Sequence, residues 1–448
     1  MPHTDILPQE QLAQLIQKAR SSGADAADAL LVEGRSVSVA WRGGKLESLE
    51  HAEGGDLGLR VLIGHKQASV ASSDRSHAAL EAMVERAVAM AKAASEDPFC
   101  GLASPEEIGG VRAEIEMADD GQMETETLIA LARESEEAAL SVKGVAQCES
   151  TDAGSSETNV YMAASNGFAG HYRRTSYSIS AVVLAGEGTA MERDYDFSSV
   201  VFKSDLDSAT QIGQNAAQKA VMSLGARKMP SCKVPVVFSP RVAHELVDHF
   251  ADAILGSAVA RGTSFLKDSL DKIIFPETIT IMDDPHRARG LRSKPFDGEG
   301  LSTTPRKIVD QGRLTSWLMD LRSARQLDMK STGHASRGTT GVPHPSPTNF
   351  YMAAGELSPD ALIKDIKSGF YVTEMMGMGI NDVTGDFSQA ARGFWIENGQ
   401  IAFPVSEMTV ASNLKAMFLN LTAANDLTFR YGIDAPTLRV EGMTIAGV

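Results

Sequence analysis

Cysteine is scarce in this 448-residue chain, and its placement excludes two kinds of structure. The three cysteines, Cys100, Cys148 and Cys232, lie far apart, and none has a second cysteine at the short spacing of a metal-binding or redox pair. The pattern excludes a zinc cage made of thiolates from this chain alone. It is typical of a protein in a reducing compartment rather than of a disulfide-stapled secreted domain.

Long apolar runs are also absent from the sequence, and the pattern of its first residues predicts no secretory leader. No stretch of about 18 or more apolar residues occurs, so we expect no transmembrane helix and no membrane partner. Residues 1–8 (MPHTDILP) lack both the basic flank and the apolar run of a secretory signal. Together with the unpaired cysteines, these absences predict a cytoplasmic protein.

Positive charge is in deficit. Lysine and arginine number 42 against 58 aspartates and glutamates, which gives a net charge of −16. A surface of this sign repels phosphate backbones. The densest basic stretch, residues 287–294, is short and is followed at once by Asp297 and Glu299. We therefore expect no nucleic-acid partner.

What is present indicates a globular protein of more than one domain. Hydrophobic residues make up 43% and charged residues 22%, as in soluble proteins, and the length suffices for two cores. The first half has helical periodicity at about residues 9–20, 76–94, 123–140 and 205–224. Three strand-like runs, at 145–153, 156–165 and 168–186, lie between the last two helices.

The second half is different in character. A proline-punctuated linker at about 225–232 precedes short strands broken by glycine, aspartate and proline, with one helix at about 241–257. The predicted fold class is therefore α+β with two domains. Residues 1–228 form an α+β domain with antiparallel strands and long helices. Residues 229–448 form a mainly β domain, barrel- or sandwich-like, with one prominent helix.

A sequence similar to a metalloprotease motif lies on that helix. Residues 244–249 read HELVDH, so His244 and His249 could bind zinc, with Glu245 as general base. In a His-Glu-x-x-His helix the two ligands are four residues apart, roughly 40° from each other around the axis. Here they are five apart, so roughly 140° separates them unless the helix widens locally. An amphipathic helix with a buried apolar face explains the same residues.

A glycine- and methionine-rich segment, residues 375–379 (MMGMG), is a candidate peptide-binding element. Glycine permits close backbone approach, and methionine adapts to varied partners. A peptide added as an extra strand along Met376, Gly377, Met378 and Gly379 would bind with little sequence preference. A plain glycine-rich loop is the alternative. No Gly-x-Ser-x-Gly nucleophile elbow and no nucleotide-binding glycine fingerprint accompanies this segment.

Acidic residues of the second half allow two interpretations. Asp283 and Asp284, which precede Pro285, could bind a divalent cation, but Asp-Pro after an apolar strand is more typical of a turn and cap. Asp297, Glu299 and the nearby Arg292 could line a polar cleft, or they could simply satisfy one another's charges.

Six sequence patches of the second half occur together and in a fixed order. They lie at residues 261–265 (RGTSF), 283–285 (DDP), 295–300 (PFDGEG), 331–337 (STGHASR), 382–388 (DVTGDFS) and 393–399 (GFWIENG). This ordered set resembles the TldD/PmbA family, once labelled modulators of DNA gyrase. The likeness extends to Glu47 and residues 58–61 (GLRV) in the first half, and so covers essentially the whole chain.

The resemblance implies a two-subunit cytosolic metalloprotease that cleaves unfolded peptides. In that family the TldD-type subunit carries a zinc-binding His-Glu-x-x-x-His sequence and a late cysteine ligand, whereas the PmbA type, also called TldE, lacks them. Counting back from residues 261–264, the TldD-type histidines would fall at Val247 and Asp252, and its glutamate at Asp248. The segment 424–439 contains no cysteine. Both observations favour the PmbA type.

The predicted function is therefore that of a PmbA/TldE-type subunit without catalytic or metal-binding residues of its own. Its zinc would be supplied by a TldD-type sister in a heterodimer, although the chain in isolation could form a homodimer. Two alternatives remain open at this level. The chain could be a self-sufficient homodimeric zinc metallopeptidase that uses His244, Glu245 and His249, or a non-enzymatic protein-binding adaptor.

Overall fold

The first half of the chain folds around one antiparallel sheet. The computed structural model describes residues 7–110, 112–377 and 379–447. Six long strands pair in the order β3-β2-β1-β4-β5-β6. The strands are β1 (Ala26–Arg42), β2 (Lys45–Ile63), β3 (Lys66–Ser72), β4 (Val145–Ala164), β5 (Ala169–Ala185) and β6 (Glu192–Val200).

Four helices cover this sheet. Helices α1 and α2 pack mainly on β1 to β3, and α4 packs mainly on β5 and β6. Helix α3 packs on β1 and β4, with a small apolar cluster of its own. Each helix forms because its apolar residues recur at helical spacing and are buried against the sheet. The helices are α1 (Pro8–Ser21), α2 (His77–Ala93), α3 (Thr125–Leu140) and α4 (Ala209–Met222).

The second half contains a closed β-barrel. Strands β16, β15, β14, β7 and β19 pair in that order, and β19 also pairs with β16, which closes the ring; β17 lies beside β19. Closure removes the free edges that an open sheet leaves. These strands are β7 (Cys232–Phe238), β14 (Ser368–Met376), β15 (Asp386–Glu397), β16 (Gln400–Asn413), β17 (Leu421–Ala423) and β19 (Leu438–Ala446).

Short strands form a second sheet and a small hairpin beside the barrel. The sheet has the order β10-β9-β8-β13-β18, and the hairpin pairs β11 with β12. The strands are β8 (Ile281–Asp283), β9 (Arg306–Asp310), β10 (Arg313–Leu314), β11 (Ala335–Ser336), β12 (His344–Pro345), β13 (Phe350–Met352) and β18 (Ile433–Asp434).

One helix dominates the second half. Helix α5 (Pro240–Ala253) has 14 residues, whereas the other helices described there have five or six. It packs between the barrel and the five-stranded sheet. The short helices are α6 (Gly256–Ala260), α7 (Leu321–Gln326), α8 (Pro359–Ile363) and α9 (Leu414–Leu419). The α+β prediction, with a mainly β second half and one prominent helix, is confirmed.

Two local predictions were wrong. The runs at 145–153 and 156–165 are one strand, β4, because this stretch pairs with β1 on one side and β5 on the other. The helix predicted to reach residue 257 ends at Ala253, and a separate short helix follows. None of the described helices combines the length and the apolar character needed to cross a bilayer.

Candidate functional site

Helix α5 presents one apolar face and one charged face. It begins at Pro240, which suits the first turn of a helix. Leu246, Val247 and Phe250 are almost wholly buried against the core. The opposite, charged side is defined by residues spaced four, three and four apart, so they follow one stripe along the helix. This charged stripe consists of Arg241, Glu245, Asp248 and Asp252.

The charged stripe faces acidic residues at the end of β14 and in the loop that follows it. Arg241 lies 3.7 Å from a carboxylate oxygen of Glu374, and Glu374 in turn pairs with Arg392. Asp252 and Asp382 line one cavity of about 510 Å³ at the carboxyl end of α5. Helix α5 on one side, and Glu374 and residues 380–382 on the other, therefore border a polar region, which we call the α5 groove.

Two carboxylates of the α5 groove titrate far above their ordinary range. Burial, assisted by the Asp248 and Glu374 carboxylates and opposed by Arg241, raises the pKa of Glu245 to about 7. Burial likewise raises the pKa of Asp252 to about 6, assisted by Asp248 and Asp382. Carboxyl groups that titrate near neutrality cluster at functional sites, because a proton bound there can be exchanged at physiological pH.

The two histidines of the HELVDH sequence do not converge. Helix α5 is a regular α-helix throughout, so the five-residue spacing turns His244 and His249 to different sides. The His244 ring stacks on Tyr431, with 4.0 Å between ring centroids. His249 lies near Asp248 and Asp382, and its buried Nε2 has no hydrogen-bond partner within the described ranges. Burial lowers the pKa of both imidazoles.

This arrangement does not fit a zinc ion held by both histidines. Zinc sites require three or four ligands that meet at one point about 2 Å from the metal. Across residues 7–110, 112–377 and 379–447, no three His, Cys, Asp or Glu side chains are grouped so that they could hold a metal ion. We therefore derive no chemical step through a metal on this chain.

The predicted peptide-binding segment borders the α5 groove. Met376 ends β14 and is half exposed, and Gly377 has a φ of 93°, a conformation that favours glycine. At Gly379 a Cβ atom would lie 1.5 Å from the Ser388 carbonyl oxygen, so only glycine fits there. Met378 lies outside the described residues. The role of these four residues in peptide binding stays a prediction.

One edge of β14 is open beside this segment. Residues Phe370 to Val372 pair with β7, but β7 ends at Phe238, where the chain turns into α5. From Glu374 to Met376, β14 pairs with β15 alone among the strands that the structure describes. An edge of this kind can accept an extended peptide through main-chain hydrogen bonds. Sequence patterns do not show that β7 ends before β14 does.

Two of the six ordered patches meet at the carboxyl end of the α5 groove. The backbone nitrogen of Phe265 donates to the Asp382 carbonyl oxygen at 2.8 Å, which joins residues 261–265 to residues 382–388. The two patches carry the family resemblance in the sequence, but their order along the chain does not show that they contact each other. Arg261, Thr263 and Asn381 also line the groove cavity and were assigned no role from the sequence.

The carboxylates of the other patches bind protein groups. Asp283 accepts from the Thr348 backbone nitrogen at 2.7 Å, and its other neighbour is His334. Asp297 accepts from three backbone nitrogens, and Glu299 accepts from the Leu321 nitrogen at 2.8 Å. These buried carboxylates hold loops together, and Asp297 and Glu299 do so through backbone nitrogens rather than through the charge of Arg292 that the sequence suggested.

Comparison with known proteins shows similarity along nearly the whole chain. Family models for the PmbA/TldA metallopeptidase match at residues 27–91 (domain 1), 118–224 (central domain) and 231–447 (C-terminal domain). The protein named Metalloprotease PmbA from Escherichia coli O157:H7 is 36% identical over 440 residues, which cover 98% of this chain and 96% of that protein.

Solved structures share the fold. A Bacteroides thetaiotaomicron protein described as a modulator of DNA gyrase has a TM-score of 0.90 and 28% identity, and the match covers 99% of this chain and 100% of the other. TldE from Thermococcus kodakarensis has a TM-score of 0.88 over 98% of this chain and 100% of the other. At 19% identity, that second likeness concerns the fold alone.

Proposed function

The chain belongs to the PmbA/TldA metallopeptidase family, and on this premise we propose that it is the PmbA/TldE-type subunit of a two-chain metalloprotease acting on unfolded peptides. A TldD-type sister chain would supply the zinc ion, the activated water and the general base. This chain would complete the enclosure of the site and hold part of the substrate. The complex would work in the cytoplasm.

The observation that carries the proposal is the composition of α5 at the positions of the family's zinc ligands. Counted back from residues 261–264, the two histidine positions are Val247 and Asp252, and the position of the catalytic glutamate is Asp248. Val247 is buried in the core with 1% of its surface exposed. A buried valine cannot bind a metal. The literal histidines, His244 and His249, lie three residues before the positions of the family's ligands.

The second support for the proposal is the open edge of β14. A peptide paired with Glu374 to Met376 would lie against the charged stripe of α5, extended and without side-chain selection. Folded proteins have no free strand to offer in this way. Selectivity for unfolded chains then follows from the binding mode and needs no sequence recognition.

Zinc content and proteolysis test the subunit assignment together. We expect the chain purified alone to bind no stoichiometric zinc and to leave a denatured peptide substrate intact, and we expect a mixture with a TldD-type sister to bind zinc and cleave it. Glu245→Gln in this chain should leave the activity of the mixed complex unchanged. Full zinc occupancy of the isolated chain, with activity lost in Glu245→Gln, would instead establish a self-sufficient peptidase.

The peptide-binding role is tested at Met376, which is 50% exposed and so can change without disturbing the core. Met376→Glu should raise the KM of the mixed complex for an apolar peptide while kcat stays nearly constant, because it weakens binding and not chemistry. Leu419→Glu is the matched control, since Leu419 is 52% exposed on α9. Equal effects of the two substitutions would refute binding along β14.

A further inference from the structure

A second cavity lies at the amino end of α5, opposite to the groove cavity. It has a volume of about 490 Å³ and is enclosed by β6, the end of α4, the start of α5 and strands of the barrel. That size is ordinary for a site that binds a small molecule or a terminal residue of a peptide, for which pockets of about 300–1,000 Å³ are typical. Nothing in the proposed proteolytic function uses this cavity.

The outer part of the cavity is apolar. Met222 and Ile401 line it and are also exposed to solvent, at 56% and 41%. Tyr371, Phe394 and Tyr431 continue the lining. Exposed apolar side chains that lead into an aromatic-walled cavity are suited to an apolar or aromatic group, which leaves water as it enters.

The inner part of the cavity contains a serine hydroxyl that has no hydrogen-bond partner among the described residues. Ser239 is the residue that precedes the first turn of α5, where a serine hydroxyl usually accepts from a backbone nitrogen of the helix. Here the hydroxyl makes no such bond. Ser239 is only 7% exposed, and its Oγ lacks any hydrogen-bond partner in the part of the chain that the structure covers. Such groups in native proteins call for a ligand or a water molecule.

The charges at this end favour an anion. The first turn of a helix carries partial positive charge from its free backbone nitrogens. Arg241 also lines the cavity, and its buried Nη2 makes no hydrogen bond to any described residue; the Glu374 carboxylate is 3.7 Å away. The cationic side chains of the lining are Lys219, Arg241 and Arg430, against Asp194 and Asp196. Each of these cations already pairs with a carboxylate, and Glu374 beside Arg241 balances the third positive charge. The anion would therefore be bound by the free Nη2 of Arg241 and by the first turn of α5, which suits a single negative charge better than a phosphate dianion.

We propose that this cavity binds an organic carboxylate that bears an apolar or aromatic group, with the carboxylate at Ser239 and Arg241 and the apolar group between Phe394 and Ile401. Two sources share this chemistry, namely the C-terminal residue of a peptide and a free amphipathic acid. The proposal concerns a cavity separate from the one at the carboxyl end of α5, although Arg241 belongs both to the charged stripe and to the lining of this cavity.

Calorimetric titration of the full chain tests the proposal. N-acetyl-L-phenylalanine should bind with a millimolar or lower Kd, whereas its uncharged amide and acetate should each bind at least about tenfold more weakly, since one lacks the charge and the other the apolar group. A tripeptide that ends in phenylalanine distinguishes the sources. If it binds more tightly than the acetylated amino acid, the cavity accepts a peptide terminus; if only the small acid binds, it accepts a free acid.

A pair of serine variants locates the ligand. Ser239→Ala should weaken binding of N-acetyl-L-phenylalanine by about tenfold. The melting temperature of the unliganded chain should hardly change, because this hydroxyl holds no protein group. Ser208→Ala is the matched control. The Ser208 hydroxyl caps α4 by accepting from the Gln211 nitrogen at 3.2 Å, so its loss should lower the melting temperature and leave binding intact.

Ile401→Lys tests the apolar end of the cavity from an exposed position. We expect this substitution to weaken binding of N-acetyl-L-phenylalanine, because it places a hydrated ammonium group where the aromatic ring would lie. The proposal is overturned if the acid and the amide bind equally well, if no binding occurs at millimolar concentration, or if Ser239→Ala binds as the unchanged chain does.

Discussion

At the scale of single residues, one buried carboxylate joins three parts of the chain. Asp28 on β1 pairs with Arg60 on β2 and with Arg337, which follows β11. Asp28 is fully buried. Burial by itself raises the pKa of Asp28, but the Arg337 and Arg60 guanidinium groups outweigh burial, so the pKa lies below its ordinary value. The carboxylate therefore stabilises the fold only while it is ionised.

Asp28→Asn should reduce the free energy of unfolding by about 3 kcal/mol or more, because it leaves two buried guanidinium groups without their counter-charge. Urea denaturation at neutral pH measures the loss. Glu81→Gln is the control, since the Lys18–Glu81 pair is largely exposed and its removal should hardly matter. A loss at Asp28 no larger than that at Glu81 would contradict the expectation.

The contribution of Glu245 to the free energy of unfolding should depend on pH with the opposite sign to that of Asp28. Its pKa rises from an ordinary 4.5 to about 7, so the folded chain holds this proton more tightly than the unfolded chain does. The stability it contributes is complete below pH 4.5 and is lost as the pH rises through 7. Glu245→Gln stays neutral throughout. It should match the unchanged chain at pH 4 and exceed its unfolding free energy by about 1 kcal/mol at pH 8, after allowance for solvent screening.

Denaturation curves at several pH values between 4 and 8 check this expectation. Glu137→Gln provides a control on the exposed side of α3, where 70% of the glutamate side chain is accessible. Its difference from the unchanged chain should not vary across the window. If the Glu245→Gln difference is equally constant, burial does not hold a proton on Glu245.

At the scale of elements, a glycine sets how closely two helices approach. Gly213 lies in the middle of α4, where a Cβ atom would be 2.1 Å from the Ser135 carbonyl oxygen on α3. Alanine normally stabilises a helix relative to glycine by about 1 kcal/mol. Here we expect Gly213→Ala to destabilise the chain by about 1–3 kcal/mol, because the helices must move apart.

Thermal unfolding of Gly213→Ala and of Gln214→Ala separates packing from helix propensity. Gln214 is the next residue on α4 and is exposed, so alanine there should be neutral or slightly stabilising. If Gly213→Ala raises the melting temperature as well, the helices have room to adjust and the close approach carries no stability.

The helices and most hairpins could be predicted because their signals are local. Periodicity of 3.6 residues locates α1 to α5 to within a few residues, and Gly43-Gly44 and Asn166-Gly167 form the turns that their sequences indicate. Strand β4 is predicted as two runs, 145–153 and 156–165, and the Gly154-Ser155 pair between them favours a turn. Pairing on both sides outweighs that local preference.

The sites were harder to predict because they depend on where elements end. The sequence shows HELVDH but not that His244 stacks on Tyr431, almost 190 residues away along the chain. It shows glycines at 377 and 379 but not the open edge that β7 leaves beside them. A serine before a helix usually predicts a side-chain cap, so no pattern in the sequence shows that the Ser239 hydroxyl leaves the first turn of α5 uncapped.

At the scale of the whole molecule, buried contacts connect the two halves at several places. Arg241 forms a buried pair with Asp194 on β6, and Arg322, which is partly exposed, donates to Asp97 at 2.6 Å. Thr339 packs directly on β2, where a Cβ at Gly58 would be 2.2 Å from the Thr339 carbonyl oxygen. The halves are thus joined through their interiors as well as through the exposed junction at residues 225–231.

Because these contacts join the two halves, cleavage of the junction tests whether the two predicted domains are independent of each other. With a specific protease site inserted after Lys228, we expect complete cleavage and a single peak of unchanged size in gel filtration, because the buried pairs at Asp28 and Asp194 survive the cut. The same digest in urea should separate into two fragments, which controls for completeness.

Adding Asp28→Asn should promote separation under native conditions, since that substitution removes the charge that holds Arg337 against the first half. Fragments that separate without urea or substitution would mean that the covalent junction, and not the buried ion pairs, keeps the α5 groove and the first half together.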